Sequence, residues 1–275
     1  MSRPSSSLYG AGLGLRRPFL SEILQSPQPD VNFFEVAPEN WITMGGKLGK
    51  QFRAMTEQHK FVCHGLSLSL GSSDPLDETL VKQIKTFMAT HGMEHYSEHL
   101  SYCSHNGHLY DLMPIPFTSE AVIHVATRIK RVQEILERKI AIENVSYYTF
   151  VGQEMREIDF FNAVVNEADC DILLDVNNIY VNSVNHGYDA IDFLNAMPVE
   201  RITYAHIAGH FKEADDFLVD THGAPIIDPV WQLLQHAYQR FGVFPTLLER
   251  DFNLPPLNEL LAEVKYIKKL QTEVL

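Results

Sequence analysis

The chain of 275 residues is poor in cysteine, poor in basic residues and without a long apolar run. Nowhere does it offer the roughly 18 consecutive apolar residues that a membrane-spanning helix needs, so no membrane partner is expected. Its three cysteines, Cys63, Cys103 and Cys170, are far apart and form no Cys-x-x-Cys pair. That excludes a disulfide framework, a cysteine zinc finger and an iron–sulfur centre. Cys63 and Cys170 lie beside apolar segments and read as buried free thiols. Lysine and arginine total 22 against 35 aspartates and glutamates, a formal net charge of −13. A nucleic-acid binder needs a basic footprint, so no nucleic-acid partner is expected. The first 20 residues hold three arginines and two prolines but no apolar signal stretch, and the expected compartment is the cytoplasm. There is no Gly-Lys-Ser phosphate loop, no His-Glu-x-x-His helix and no serine nucleophile elbow. Gly10-Ala11-Gly12-Leu13-Gly14 follows no recognisable strand and opens no dinucleotide fingerprint, so it reads as a tight N-terminal turn near the active face. Gly45-Gly46 reads as a flexible loop.

Against these absences stand 13 histidines and a regular alternation of segments. Apolar residues make up 45 % and charged residues 21 %, a balance that argues against disorder and supplies a large core. Short apolar runs at 31–36, 61–68, 95–100, 140–143, 171–175, 202–207, 217–219 and 243–248 read as buried strands. Between them, apolar residues recur at helical spacing over 76–90, 119–137, 158–168, 229–241 and 257–272. Asp77 and Glu78 place acid in a first helical turn. Ser119 stands at an N-cap, and Pro229 opens a helix where it costs no internal hydrogen bond. The Asn-rich stretch 180–187 reads as a loop over the active face. No linker and no internal repeat divides the chain. Eight strands alternating with helices predict an α/β fold, a single (β/α)8 TIM barrel forming one domain over 1–275.

In such a barrel the C-terminal strand ends share one mouth, where enzyme sites sit. Polar residues collect at those ends: Glu35, His64, Glu98 and His99, Glu143 and Asn144, Asp175 with Asn177 and Asn178, His206, Asp220 and His222, Glu249 and Asp251. Singly, His64 reads equally as a satisfied core histidine and Glu143 as a capped loop acid. Together, converging carboxylates and imidazoles repel, or carry a large desolvation cost, unless they are paired or metal-bound. A metal site is therefore the expectation. Nitrogen and oxygen ligands suit iron, manganese or zinc with open positions. The candidates outnumber what one ion needs, so two or three ions sharing bridging carboxylates fit better. In His206-Ile207-Ala208-Gly209-His210 the preceding strand and Gly209 keep the two histidines off one helical face. His206 is the ligand candidate and His210 a residue behind it or toward substrate.

Seven segments together resemble a known family. They are His64-Gly65-Leu66-Ser67-Leu68-Ser69-Leu70-Gly71, Ser97-Glu98-His99-Leu100-Ser101, Glu143-Asn144-Val145-Ser146, Asp175-Val176-Asn177-Asn178-Ile179-Tyr180-Val181-Asn182 running on to Asn185-His186-Gly187, His206-Ile207-Ala208-Gly209-His210, Asp220-Thr221-His222-Gly223 and Glu249-Arg250-Asp251. The pattern is similar to the DUF692 (UPF0276) family, which includes the iron-dependent peptide-modifying enzymes of methanobactin and 3-thiaglutamate biosynthesis. The resemblance spans residues 9–258. It implies a TIM barrel of the xylose-isomerase-like type holding two or three irons, with dioxygen as co-substrate and zinc or manganese as the less favoured metals. The matching ligand positions are His64, His99, Glu143, Asp175, Asn177, His206, Asp220, His222 and Glu249. Glu35, His105, His186 and His210 lie in or beside family segments and are expected near the chemistry, with His105 an alternative to His99 as a ligand. The implied substrate is cysteine in a ribosomally made precursor peptide, presented by a companion protein that binds the peptide leader. The oligomeric state reads as monomer or dimer.

Two other classes share this ligand chemistry. A metal-dependent isomerase or phosphodiester hydrolase of the same barrel type would use such a cluster to polarise substrate or activate water. A noncatalytic metal-binding interaction protein would hold its ions in a closed site.

Overall fold

The computed structural model describes residues 8–26 and 28–274. Residues 1–7, part of the N-terminal stretch whose composition pointed to the cytoplasm, lie outside the described residues. The strands in chain order are β1 (Ala11–Gly14), β2 (Phe33–Val36), β3 (Phe61–His64), β4 (Tyr96–His99), β5 (Tyr102–Ser104), β6 (His108–Met113), β7 (Ala141–Glu143), β8 (Asp171–Asp175), β9 (Ile202–Ile207), β10 (Phe211–Ala214), β11 (Phe217–Val219) and β12 (Thr246–Leu248). The helices are α1 (Leu20–Gln25), α2 (Gly46–Gln58), α3 (Glu78–His91), α4 (Ser119–Leu136), α5 (Glu157–Ala168), α6 (Val176–His186), α7 (Ala190–Asn195), α8 (Asp228–Phe241) and α9 (Leu257–Val274). Eight strands close into a parallel barrel in the order β1-β12-β9-β8-β7-β4-β3-β2. No helix among the described residues is long and apolar enough to cross a membrane.

The barrel corrects the strand assignment at one place. The segment 217–219 is not a barrel strand. It is β11, paired antiparallel with β10 in a separate hairpin. The missing barrel strand is β1, drawn from the glycine stretch read as a turn, and it pairs in parallel with β12 and β2. Glycine is required there by close approach: a Cβ on Gly12 would stand 2.5 Å from Cζ of Phe33. Glycines that make room for a neighbouring ring also erase the apolar alternation that marks a strand.

The stretch 180–187 is likewise not a loop but most of α6. Asp175 caps that helix, its Oδ1 accepting from Asn178 N at 2.6 Å, and Gly187 ends it at φ +70. Its polar character misled because its buried face carries amides, Asn177, Asn178 and Asn182. Gly45-Gly46 is also not simply a loop, since Gly46 opens α2. The caps of α3 and α4 fall on Asp77 and Thr118. The short helices α1 and α7, and the hairpin β5–β6, carried too little periodicity to be read.

Strand alternation builds the interior in two layers. Successive side chains on a strand point to opposite faces, so residues i and i+2 share the inside. Phe33, Val62, Ala141, Leu173, Tyr204 and Leu247 form a closed apolar cluster. Each stands two residues before Glu35, His64, Glu143, Asp175, His206 and Glu249 respectively. The same step takes Ser97 to His99. The outward residues, among them Phe34, Cys63, Ile142, Leu174, Ala205 and Leu248, belong to the larger core between sheet and helices. The apolar plug closes the barrel beneath a layer of ionisable groups that faces the mouth.

Candidate metal centre

The polar layer floors a cavity of about 390 Å³ lined by Glu35, His64, His99, Glu143, His222 and Glu249 among others. Four groups of three residues bring ligand atoms within 4.8 Å of one another: His64, His99 and Glu143; Glu35, His206 and Glu249; Glu143, Asp175 and His206; Asp175, His222 and Glu249. Glu143, Asp175, His206 and Glu249 each belong to two groups, so the four merge into one continuous cluster. Nitrogen and carboxylate donors arranged this way fit several ions sharing bridging acids.

The close approaches are those of ligands aimed at a common point. His64 Nε2 lies 3.0 Å from Glu143 Oε2 and 3.1 Å from His99 Nε2. Glu143 Oε2 nonetheless has no aligned hydrogen-bond donor. Asp175 Oδ2 and Asn178 Oδ1 are buried and also without a hydrogen-bond partner. Orphaned buried oxygens are costly, and a cation among them removes that cost.

Without an ion, protons on the histidines balance the acids. Burial works against the charged form of His99, but Glu143 and then Glu98 carry its pKa up to about 9. Burial would raise Glu143, yet His99 and His64 hold it down to about 2. His206 and His222 are likewise raised against the effect of burial, the first by Glu35 and Glu249, the second by Asp220 and Glu249. Glu249 is held well below the usual range, burial being outweighed by His206 and His222. Asp175 goes the other way. Burial, reinforced by Glu143, pushes it well above the carboxylate range. An ion entering this cluster therefore displaces protons.

The loop after β11 completes the mouth. His222 takes φ +46, a conformation uncommon outside glycine. That turn aims its ring between Asp220 Oδ1 at 2.8 Å and Glu249 Oε2 at 3.3 Å. Ser146 Oγ donates to Asp220 Oδ2 at 2.9 Å. Arg16, on the loop after β1, donates from Nε to Arg250 O and ion-pairs with Asp251.

The expected site residues divide by position. His64, His99, Glu143, Asp175, His206, Asp220, His222 and Glu249 meet at the mouth, and Glu35 joins them in contact with His206 Nε2 at 2.9 Å. Asn177 stands one step away with its amide already used. Its Oδ1 accepts from His210 Nδ1 at 2.7 Å, and its Nδ2 donates to Asp220 Oδ1 at 2.9 Å. The neighbouring Asn178 instead lines the cavity. Its Nδ2 is spent on Glu143 Oε1 and Asn144 O, and its Oδ1 is left free. His210 is buried behind Asn177 against Tyr180. His105 is exposed in the turn between β5 and β6, bonded to Ser73 Oγ at 3.1 Å, and does not reach the cavity. His186 stacks on Tyr147 with ring centroids 4.1 Å apart and lines a separate cleft. Three residues beneath or beside the cluster escaped the sequence reading. Ser97 and Tyr204 were signalled by their i, i+2 spacing to His99 and His206, whereas nothing local marks Arg16.

A protein family described as RiPP precursor modification enzyme MbnB/TglH/ChrH matches residues 10–272. A UPF0276 protein of Shewanella loihica is 64 % identical over 264 residues, covering 96 % of this chain and 95 % of its own length. Among solved structures, a xylose isomerase-like TIM barrel protein from Mycobacterium smegmatis in complex with magnesium aligns with a TM-score of 0.63 at 10 % identity, over 97 % of this chain and 98 % of that one. The IolI protein with a binding zinc atom aligns with a TM-score of 0.60 at 15 % identity, over 97 % and 99 %. At such identities these structures establish the xylose-isomerase-like barrel and nothing about the reaction.

Proposed function

The chain belongs to the RiPP precursor modification enzyme MbnB/TglH/ChrH family, and on that premise we propose that it is a multinuclear non-haem iron enzyme that uses dioxygen to modify cysteine in a ribosomally made peptide. The observation that carries this reading is the single cluster of four ligand groups sharing Glu143, Asp175, His206 and Glu249. We assign His64, His99 and Glu143 to one ion. Glu35, Asp175, His206 and Glu249 serve a second. Asp220, His222 and the free oxygen of Asn178, in place of Asn177, serve a third, with Asp175 and Glu249 within reach of His222. Iron, when bound, supplies a Lewis acid for the substrate thiolate and one-electron chemistry with dioxygen.

The protein's own residues bind, orient and shield. Carboxylates shared between groups fix the spacing of the ligand sets, and the apolar plug closes the barrel beneath them. Leu66 and Phe252 line the cavity yet remain exposed, which suits apolar lips that grip a peptide backbone and exclude water from the reacting thiol. Arg16 and Asp251 hold the loop of Glu249 and His222 in place. A companion protein presenting the leader and a cytoplasmic location complete the proposal. An isomerase or hydrolase reading rests on barrel likeness alone and gains no support from the family.

The test is turnover. Iron-loaded protein, with its companion where one is encoded beside it, is given a cysteine-containing precursor peptide and dioxygen. The expected result is oxygen uptake and a mass change confined to the cysteine residue, absent when serine replaces cysteine. Equal modification of the serine peptide refutes a thiol-directed reaction.

A further inference from the structure

We propose that Tyr204 and Ser97 form a one-way hydrogen-bonded strut beneath the metal centre, fixing His64 in its ion-binding tautomer and tying it to Glu35. The inference rests on the metal-centre reading above. Both residues are fully buried at 0 % exposure, on strands β4 and β9, three places apart around the barrel. Tyr204 Oη donates to Glu35 Oε2 at 2.7 Å, and Ser97 Oγ lies 2.7 Å from Tyr204 Oη. His64 Nδ1 lies 2.8 Å from Ser97 Oγ.

Proton accounting gives the chain its direction. A carboxylate only accepts, so the single phenol hydrogen of Tyr204 goes to Glu35. The contact between Ser97 and Tyr204 then needs the serine hydrogen, because Tyr204 has none left. Ser97 Oγ, its hydrogen spent, can only accept from His64. The alternative acceptor for that hydrogen, Cys63 O, is farther away at 3.3 Å. His64 Nδ1 therefore carries a hydrogen, and in the neutral ring Nε2 keeps its lone pair for an ion. Nε2 is the atom that faces Glu143 and His99. Outer hydrogen bonds of this kind fix the tautomer of a ligating histidine. Here the fixing group, Glu35, belongs to a different ligand group from His64, so the two halves of the cluster are set by one element.

Removing the phenol breaks the direction. In Tyr204→Phe the Ser97 hydrogen loses its nearer acceptor and is left between Cys63 O and His64 Nδ1; when it turns to Nδ1 the ring hydrogen moves to Nε2 and blocks an ion there. Ser97→Ala leaves Nδ1 without a partner, and Ser97→Thr keeps the hydroxyl.

The experiment is a titration of the metal-free full chain with Zn2+ against a competing chelator, with 15N NMR of the histidine rings before and after loading. The wild type is expected to show His64 hydrogenated at Nδ1 in both states. Ser97→Ala is expected to lose affinity for one ion by roughly 10- to 100-fold while the remaining ions bind as before, Ser97→Thr to restore it, and Tyr204→Phe, which also strips the donor from Glu35, to weaken the ion held by Glu35 as well. Circular dichroism of each metal-free variant checks the fold. His64 hydrogenated at Nε2 with Nδ1 bare in the wild type, or full wild-type affinity in Tyr204→Phe, overturns the strut. A wild type that binds fewer than two ions overturns the multinuclear reading instead, while the tautomer of the metal-free ring still decides the strut.

Discussion

Replacing Asp175 by asparagine should stabilise the metal-free protein and weaken its hold on metal. The carboxyl is 0 % exposed, and its pKa is pushed well above the ordinary range by burial and by Glu143. Ligand oxygens of Asp175 and Glu143 lie within 4.8 Å of one another. At an effective dielectric near 20, two unit charges at that limit repel by about 3.5 kcal/mol. Attraction to His222 and His206 and uptake of a proton by Asp175 each return part of this, so the net gain on replacing the acid is about 1–3 kcal/mol. Asparagine keeps the shape and the acceptor that caps α6. For a domain of this size each kcal/mol moves the Tm by about 2–4 °C, so the metal-free variant should melt several degrees higher. The same variant should lose metal, because an acid belonging to two ligand groups has gone. Asp175→Ala separates the effects, since it also removes the cap and should fall about 1 kcal/mol below asparagine. Thermal melts with and without metal, beside elemental analysis, give all the quantities. An Asp175→Asn variant whose metal-free form melts lower than metal-free wild type, or one that is purified with its full complement of metal, refutes the reasoning.

Three further outcomes follow from the geometry. His99→Ala should strip metal, whereas His105→Ala, in an exposed turn, should match wild type in metal content and turnover; equal losses would put the ligand assignment in error. The metal-free protein should lose stability as pH rises, measured by denaturant unfolding. The folded pKa of His99 is raised from about 6.5 to about 9, so its contribution is complete below pH 6.5 and disappears as pH passes 9. A curve flat across that window contradicts the assignment. Gly12→Ala should cost about 1–3 kcal/mol by driving a methyl group into the Phe33 ring, and a smaller residue at 33 should recover much of it in thermal melts.

The barrel and most of the mouth were legible because strand alternation writes both into the sequence. A large residue followed two places later by an acid or imidazole, as in Phe33–Glu35, Val62–His64, Leu173–Asp175 and Tyr204–His206, records a plug and a ligand layer at once. The reading failed where packing removes that signature. β1 hides because Gly12 gives up a side chain to admit the Phe33 ring, and Gly10 and Gly14 add nothing to an apolar alternation. α6 hides because its buried face mixes the amides of Asn177, Asn178 and Asn182 with Val176, Ile179 and Val181, so its apolar period is weak. β11 misled because three apolar residues in a short hairpin look like three residues of a barrel strand, and Asp220 and His222 still reach the mouth from the loop that follows. The choice between Asn177 and Asn178 lay beyond sequence. Both sit in the first turn of one helix, and only the hydrogen bonds from His210 and to Asp220 show which amide is already spent.

The most direct test of the central claim is the metal content and iron spectrum of anaerobically purified protein before and after addition of the cysteine-containing peptide. Two or three irons per chain, and an iron spectrum that changes on thiolate ligation, are the expected result. A single ion per chain, or a spectrum unmoved by saturating peptide, would contradict it.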